Sequence, residues 1–372
     1  MKITKIELIH VRPRWSFLKM TTDEGLVGWG EAIVEGRSRT VEMAVKELEP
    51  VLIGQDPRRI EHLWQSMYRG AFYRGGPVLT SAISGVEQAM WDILGKSLGV
   101  PVYQLLGGAV RDRVRIYCHV GGGTPEEARQ SAKAAAEKGF TMVKTGLNGK
   151  ARLTEPPSFI RQQVERIAAI REAIGPDCEL GIDFHGKIAP ALAIQLIKEL
   201  EYLKPAYIEE PCLPENVDAL LQIARSTHLP IATGERLFTK WGFREVLEKQ
   251  AAAIVQPDLA HCGGILEGKK IAAMAETYFA AIAPHNPLGP VNLAASIQLD
   301  ACVPNFLAQE HVTLGEGYLR RPFEAKGGYI ELPTAPGLGI EIDEEAIQEK
   351  IYSGDWDTPR WFHDDDGSVA DW

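Results

Sequence analysis

The sequence predicts an α/β protein, a modified (β/α)8 TIM barrel carrying an N-terminal α+β capping domain. Three observations predict it. From about Arg113 onward, short β-rich runs alternate with helix-length amphipathic segments, the pattern of repeated βα units. The runs are RVRIYCHV, FTMVKTG, CELGIDFH, AYIEEP, LPIATGE, AAIVQPDL, FAAIAPHN and NFLAQEH, eight in all. They are near-continuously apolar, as strands covered on both faces must be, and no central Gly-x-Gly-x-x-Gly turn interrupts them, which favours a closed barrel over an open doubly wound sheet.

Ahead of the barrel, residues 1 to about 35 read as a strand pair, TKIELIHV and FLKMTTDEGLVGWGEA, joined by the loop Arg12 to Ser16, with turn glycines at Gly25 and Gly28. From Thr40 to about Leu106 the apolar spacing is helical, and Gly99 and Pro101 stop the last helix. These stretches make a capping domain over 1–112 and a barrel over 113–325. The helix after the eighth run is poorly marked. In its place come the Gly/Pro-rich GGYIELPTAPGLGIEID and a tail ending WFHDDDGSVADW, so residues 326–372 are expected to pack back on the capping domain.

Composition narrows the function. The chain has 372 residues, 45% hydrophobic and 24% charged, and a formal net charge of −10. Such a charge gives no basic field for nucleic acid or an anionic membrane, so an anionic substrate must be held by local groups. Five cysteines, Cys118, Cys178, Cys212, Cys262 and Cys302, are scattered without a C-x-x-C pair, which suits reduced, buried thiols and a cytoplasmic location. MKITKIELIHVRPRW alternates like a strand, and no window reaches the roughly 20 apolar residues of a membrane span.

Barrel chemistry sits at the carboxyl ends of the strands. The polar residues crowd there: Lys144 after strand two, Asp183 and His185 after three, Glu209 and Glu210 after four, Glu235 after five, Asp258 after six, His285 after seven and Glu310 after eight. Asp183, Glu209 and Glu235 recur at equal intervals, so the three acids can converge on one point, with Glu210 open as the alternative to Glu209. Three unpaired carboxylates within a few ångströms repel strongly, and a divalent cation resolves the conflict. An all-oxygen donor set favours Mg2+ or Mn2+ over Zn2+. In GIDFHG, alternation puts Asp183 and His185 on one face of strand three. Asp258, beside the strand that ends in His285, is placed to orient an imidazole and raise its basicity, although His261 and Asn286 are close enough in sequence to substitute for His285.

With these residues the chain resembles the enolase superfamily in its mandelate-racemase-like branch. Through RPRWSFLKMTTDEG, VGWGEA, FYRGGP, GIDFHG, YIEEP, ATGER, QPDLAHCGGI, APHNPLGP and PGLGIEID it is most similar to the D-galactonate dehydratase family. The resemblance implies metal ligation by Asp183, Glu209 and Glu235, His285 as general base oriented by Asp258, His185 as general acid, and Glu310 against the substrate carboxylate. It also implies Mg2+-assisted removal of the C2 proton of an aldonate, loss of the C3 hydroxyl, and a homo-oligomer. Arg14, Trp15, Lys19, Tyr73 and Arg74 are expected to close over the polyol end, with Lys144 beside the substrate. Two departures stand out: strand two ends Lys144-Thr145-Gly146 and so lacks the second lysine of lysine-dependent racemases, and Gly146 stands where the dehydratase family carries Asn. Gluconate, mannonate or a pentonate as substrate, an epimerase or racemase using both histidines, and a binding barrel with a structural metal are the competing readings.

Overall fold

The computed structural model describes residues 1–372. The chain opens with an antiparallel sheet of three strands, β1 (Ile3–Val11), β2 (Trp15–Thr22) and β3 (Val27–Glu31). FLKMTTDEGLVGWGEA is thus two strands, turned at Gly25 with φ 80°. Gly28 is not a turn residue: it lies within β3, where a Cβ would come 2.2 Å from Ala89 O. Gly28 and Gly30 instead let β3 lie directly against the helix that covers it.

That helix is α3 (Pro77–Leu98), which follows α1 (Ser38–Leu52) and α2 (Ile60–Arg69) and precedes the short α4 (Val102–Leu105). Pro77 at its first turn starts α3, and Gly99, left-handed at φ 71°, ends it as expected.

Eight barrel strands then follow in chain order: β4 (Arg113–His119), β5 (Met142–Gly146), β6 (Glu179–Asp183), β7 (Tyr207–Glu209), β8 (Ile231–Thr233), β9 (Ile254–Val255), β10 (Ala281–Ile282) and β11 (Gln309–Glu310). Between them run α5 (Pro125–Glu137), α6 (Pro157–Ile174), α7 (Pro190–Leu200), α8 (Val217–Arg225), α9 (Thr239–Glu248), α10 (Ile265–Thr277) and α11 (Pro290–Asp300). Neighbours from β4 to β10 pair in parallel, β11 pairs with β4, and a parallel bridge between Ile282 and Phe306 joins the two ends. Local signals fix the helix starts: α5 carries a capping box in which Thr124 and Glu127 satisfy each other's backbone N–H, with Pro125 at the first position. No helix comes directly after β11. There β12 (Tyr329–Glu331) pairs antiparallel with β4. No helix is long and apolar enough to cross a membrane.

The hydrophobic interior is divided. One cluster of 49 buried residues runs from the capping sheet through α3 into α9, α10 and α11, so the cap and the second half of the barrel share a core. A separate cluster of 29 residues, from Val120 to Ala252, serves the first half. Two buried glutamates tie cap to barrel. Glu31 accepts the N–H groups of Gly289 (2.7 Å) and Asn292 (3.0 Å) at the start of α11. Glu87 does the same for Ile265 and Leu266 at the start of α10. A carboxyl at a helix N-terminus satisfies free donors and complements the dipole.

The segment beyond 326 divides its attachments. Its middle lies on the cap, where Ile351 bridges Val11 and Glu344 of α12 (Glu344–Gln348) lies 2.5 Å from Lys19. Its end does not. The hairpin of β13 (Trp361–Phe362) and β14 (Val369–Ala370) sits on barrel loops, held by Lys150 and Arg152 of the β5–α6 loop. Packing back on the cap therefore describes the middle of 326–372 and not its last dozen residues.

Candidate active site

Asp183 closes β6 and Glu209 closes β7, opposite each other in the strand register, while Glu235 lies just past β8. Their ligand oxygens come within 4.8 Å of one another, and all three side chains are buried. Glu210 is turned away. Its backbone goes left-handed at φ 42°, and its carboxylate accepts from Thr233, Gly234 N and Arg236. Lys144 Nζ lies 2.6 Å from Glu209, 2.9 Å from Glu310 and 3.4 Å from Asp183.

One lysine against four acids leaves excess negative charge. Burial, and after it Asp183, pushes the Glu209 carboxyl well above its ordinary range, and burial also raises Glu235. Glu209 Oε2 is buried without a hydrogen-bond partner. An orphaned carboxylate oxygen among hard oxygen donors fits a small divalent cation held by Asp183, Glu209 and Glu235.

Two histidines flank Glu235. His285 Nε2 is 3.4 Å from Oε2, and His185 Nε2 is 4.0 Å from Oε1. His285 Nδ1 donates to Asp258 at 2.9 Å, whereas His261 stands 3.8 Å from Asp258 and pairs with Ser81, and Asn286 donates its N–H to Glu310. Geometry thus separates His285 from its two substitutes. Burial works against charge on His285, but Glu235, Glu310 and Asp258 outweigh it and raise the imidazole to about 10.

His185 reaches the site by a route the strand alternation did not foresee. β6 ends at Asp183, whose Oδ1 accepts the His185 N–H at 2.7 Å, and His185 itself is left-handed at φ 55°. The two side chains neighbour each other through a turn, not through a shared strand face. His185 Nδ1 donates to the backbone oxygen of Trp372.

These groups open into a cavity of about 490 Å³, where three of 18 lining residues are hydrophobic, a lining suited to a polyhydroxylated ligand. Arg14 reaches its wall, bonded to Pro287 O at 3.0 Å and paired with Glu35. Four expected polyol contacts do not reach it. Trp15 and Lys19 lie within β2, Trp15 packed into the capping core and Lys19 drawn to Glu344 and over the Trp29 ring, whereas Arg14 precedes the strand and escapes its alternation. Tyr73 and Arg74 lie on the α2–α3 loop, exposed to solvent and off the cavity wall. His119, at the end of β4 and 2.7 Å from Glu310, also lines the cavity, and its seat at the end of the first barrel strand is the same signal that marks the others. Arg236, Asp371 and Trp372 also line it.

Comparison with known proteins gives the same grouping. Residues 10–107 match the N-terminal domain of mandelate racemase / muconate lactonizing enzyme, and residues 126–346 match the enolase C-terminal domain-like family. The D-galactonate dehydratases of Ralstonia nicotianae and Cronobacter sakazakii are 50% and 49% identical, each aligned over 100% of both chains. Among solved structures, a mandelate racemase/muconate lactonizing enzyme from Sulfitobacter sp. superposes with a TM-score of 0.91 at 36% identity, over 95% of this chain and 96% of that one. A member of the enolase superfamily from Salmonella Typhimurium gives 0.89 at 32% identity, over 94% and 98%.

Proposed function

Because the chain belongs to the mandelate racemase/muconate lactonizing enzyme family of the enolase superfamily, we propose that it is a Mg2+-dependent hydro-lyase converting D-galactonate to 2-dehydro-3-deoxy-D-galactonate and water. The observation that carries this reading is the pair of histidines across Glu235, each with Nδ1 engaged and Nε2 toward the same polar cavity. A base and an acid so placed suit adjacent carbons of one substrate. Asp183, Glu209 and Glu235 would hold Mg2+, with Mn2+ as the alternative ion. Bound there, the cation supplies positive charge that stabilises the substrate carboxylate as C2 is deprotonated and offsets the acids that otherwise keep His285 protonated.

His285 Nε2 takes the C2 proton, and Asp258 holds the ring in that tautomer. As the C3–O bond breaks, His185 Nε2 delivers a proton to the departing hydroxyl, which leaves as water. The electron pair of the former C2–H bond becomes the C2–C3 double bond, and the resulting enol takes a proton at C3 to become the 2-keto acid. Lys144 and His119 fix Glu310, which lies along the carboxylate side of the site, and Arg14 serves the polyol end. Absence of a second lysine near Lys144 speaks against a lysine-based racemase.

The test is purified protein with Mg2+ and a panel of galactonate, gluconate, mannonate and pentonates, read as 2-keto acid with and without chelator. Chelator-sensitive product from galactonate is the expected result. No 2-keto acid from any aldonate would contradict the proposal.

A further inference from the structure

We propose that Trp372 is a positioning residue for His185 and a wall of the substrate pocket, which makes the C-terminal hairpin part of the active site; this rests on the dehydratase reading above. The β13–β14 hairpin pairs Trp361 with Ala370 and Phe362 with Val369, and its turn is closed by His363 N to Ser368 O and Gly367 N to His363 O. A two-stranded hairpin of this size is marginal by itself and takes its place from what it docks on. It docks on the catalytic face of the barrel. Lys150 donates to Phe362 O at 2.6 Å and to Asp364 at 2.9 Å, Arg152 meets Asp365 and Asp366, and Lys187 lies 5.3 Å over the Trp361 ring. Lys150 and Arg152 belong to the loop after β5, and Lys187 to the loop after β6.

So anchored, the chain carries Asp371 and Trp372 into the cavity wall. The Trp372 backbone oxygen is the only hydrogen-bond partner of the His185 ring, and the indole stands edge-to-face to it at 5.3 Å and 88°. His185 follows the left-handed turn after β6 and keeps a third of its side chain exposed, so β6 alone leaves its ring free to turn. With Nδ1 tied to Trp372, Nε2 is the nitrogen left to face Glu235 and the cavity. For His285 the same task falls to Asp258, a buried side chain. Trp372 thus does for the second histidine what Asp258 does for the first. Its indole also lines the cavity beside that ring, and displacement of an acid by about an ångström costs on the order of a hundredfold.

The experiment follows two readouts in D2O with galactonate: 2-keto acid formation and deuterium incorporation at C2 of the remaining substrate. Deleting residue 372 and replacing Trp372→Ala should each lower elimination about tenfold or more while C2 exchange continues, and Trp372→Phe should recover most of the loss. The double variant Lys150→Ala/Arg152→Ala, which frees the hairpin without touching the pocket, should raise the exchange-to-elimination ratio in the same direction and covers the case in which a Trp372 variant misfolds. An unchanged ratio in well-folded variants overturns the proposal, because a purely structural tail lowers both readouts together. If the wild type dehydrates no aldonate, the dehydratase reading fails separately, and the ring is then read by 15N NMR of labelled histidine, with His185 assigned by its loss in His185→Asn. A Nδ1–H tautomer that becomes mixed when residue 372 is deleted supports the contact, and an unchanged spectrum overturns it.

Discussion

The two histidines sit in halves of the barrel that are built differently. His285 belongs to the half that shares its core with the capping domain, and its support is a buried relay: Glu31 and Gln88 of the cap hold Asn292, Asn292 donates to Asp258 at 3.1 Å, and Asp258 holds His285. His185 belongs to the half with its own core, and its ring is held by the last residue of a hairpin that rests on exposed lysine and arginine contacts. The first arrangement is as stable as the fold. The second depends on ion pairs that individually contribute about 0–1 kcal/mol. On the proposed mechanism, proton abstraction would thereby be built into the interior, while departure of the hydroxyl would be governed from the surface.

The largest effect that would break this contrast is on the interior side. His285→Asn should lower 2-keto acid formation by about 10²–10⁴ and suppress C2 exchange equally, with the far-UV spectrum unchanged. Next, Asn292→Ala should weaken Asp258 and cost activity at the C2 step, and it should also destabilise the fold by about 1–3 kcal/mol, since it opens a buried polar network; chemical denaturation measures the second effect. A third effect concerns pH. Burial raises Glu31 to about 8 against the opposing N–H groups of Asn292 and Gly289. A carboxyl raised in the folded state stabilises fully below its unfolded pKa of about 4.5, and that contribution is lost as pH rises through about 8. The melting temperature should therefore fall between pH 5 and 8, and Glu31→Gln should flatten the slope; an identical slope in the variant would count against the charge state of this contact.

On the surface side the effects are smaller. Raising ionic strength to about 0.5 M screens the hairpin contacts and should slow elimination a few-fold while sparing C2 exchange. Smallest is Gly146→Asn. A Cβ there meets nothing closer than Asp183 O at 3.8 Å, so the larger side chain should fit without loss of stability, and a thermal melt checks it.

The contrast also explains what the sequence revealed. Strand ends in a barrel recur with the βα unit, so Asp183, Glu209, Glu235 and His285 could be located by counting units, and the apolar runs marked all eight strands. Contacts that depend on a local turn were less legible. Glu210 and His185 both leave their strands through left-handed residues, a feature that alternation does not encode. Trp15 and Lys19 lie in the same stretch as Arg14, yet the strand that begins at Trp15 turns both toward other partners. The Trp372–His185 contact spans half the chain and has no periodicity to announce it. Its one local trace was WFH and SVA flanking an Asp- and Gly-bearing turn, a hairpin pattern.

The most direct measurement is C2 proton exchange of galactonate in D2O by His185→Asn and His285→Asn, each with Mg2+ and beside the wild type. The division of labour predicts that His185→Asn exchanges the C2 proton without releasing 2-keto acid, while His285→Asn does neither. Exchange by His285→Asn, or elimination at the wild-type rate by His185→Asn, would contradict it.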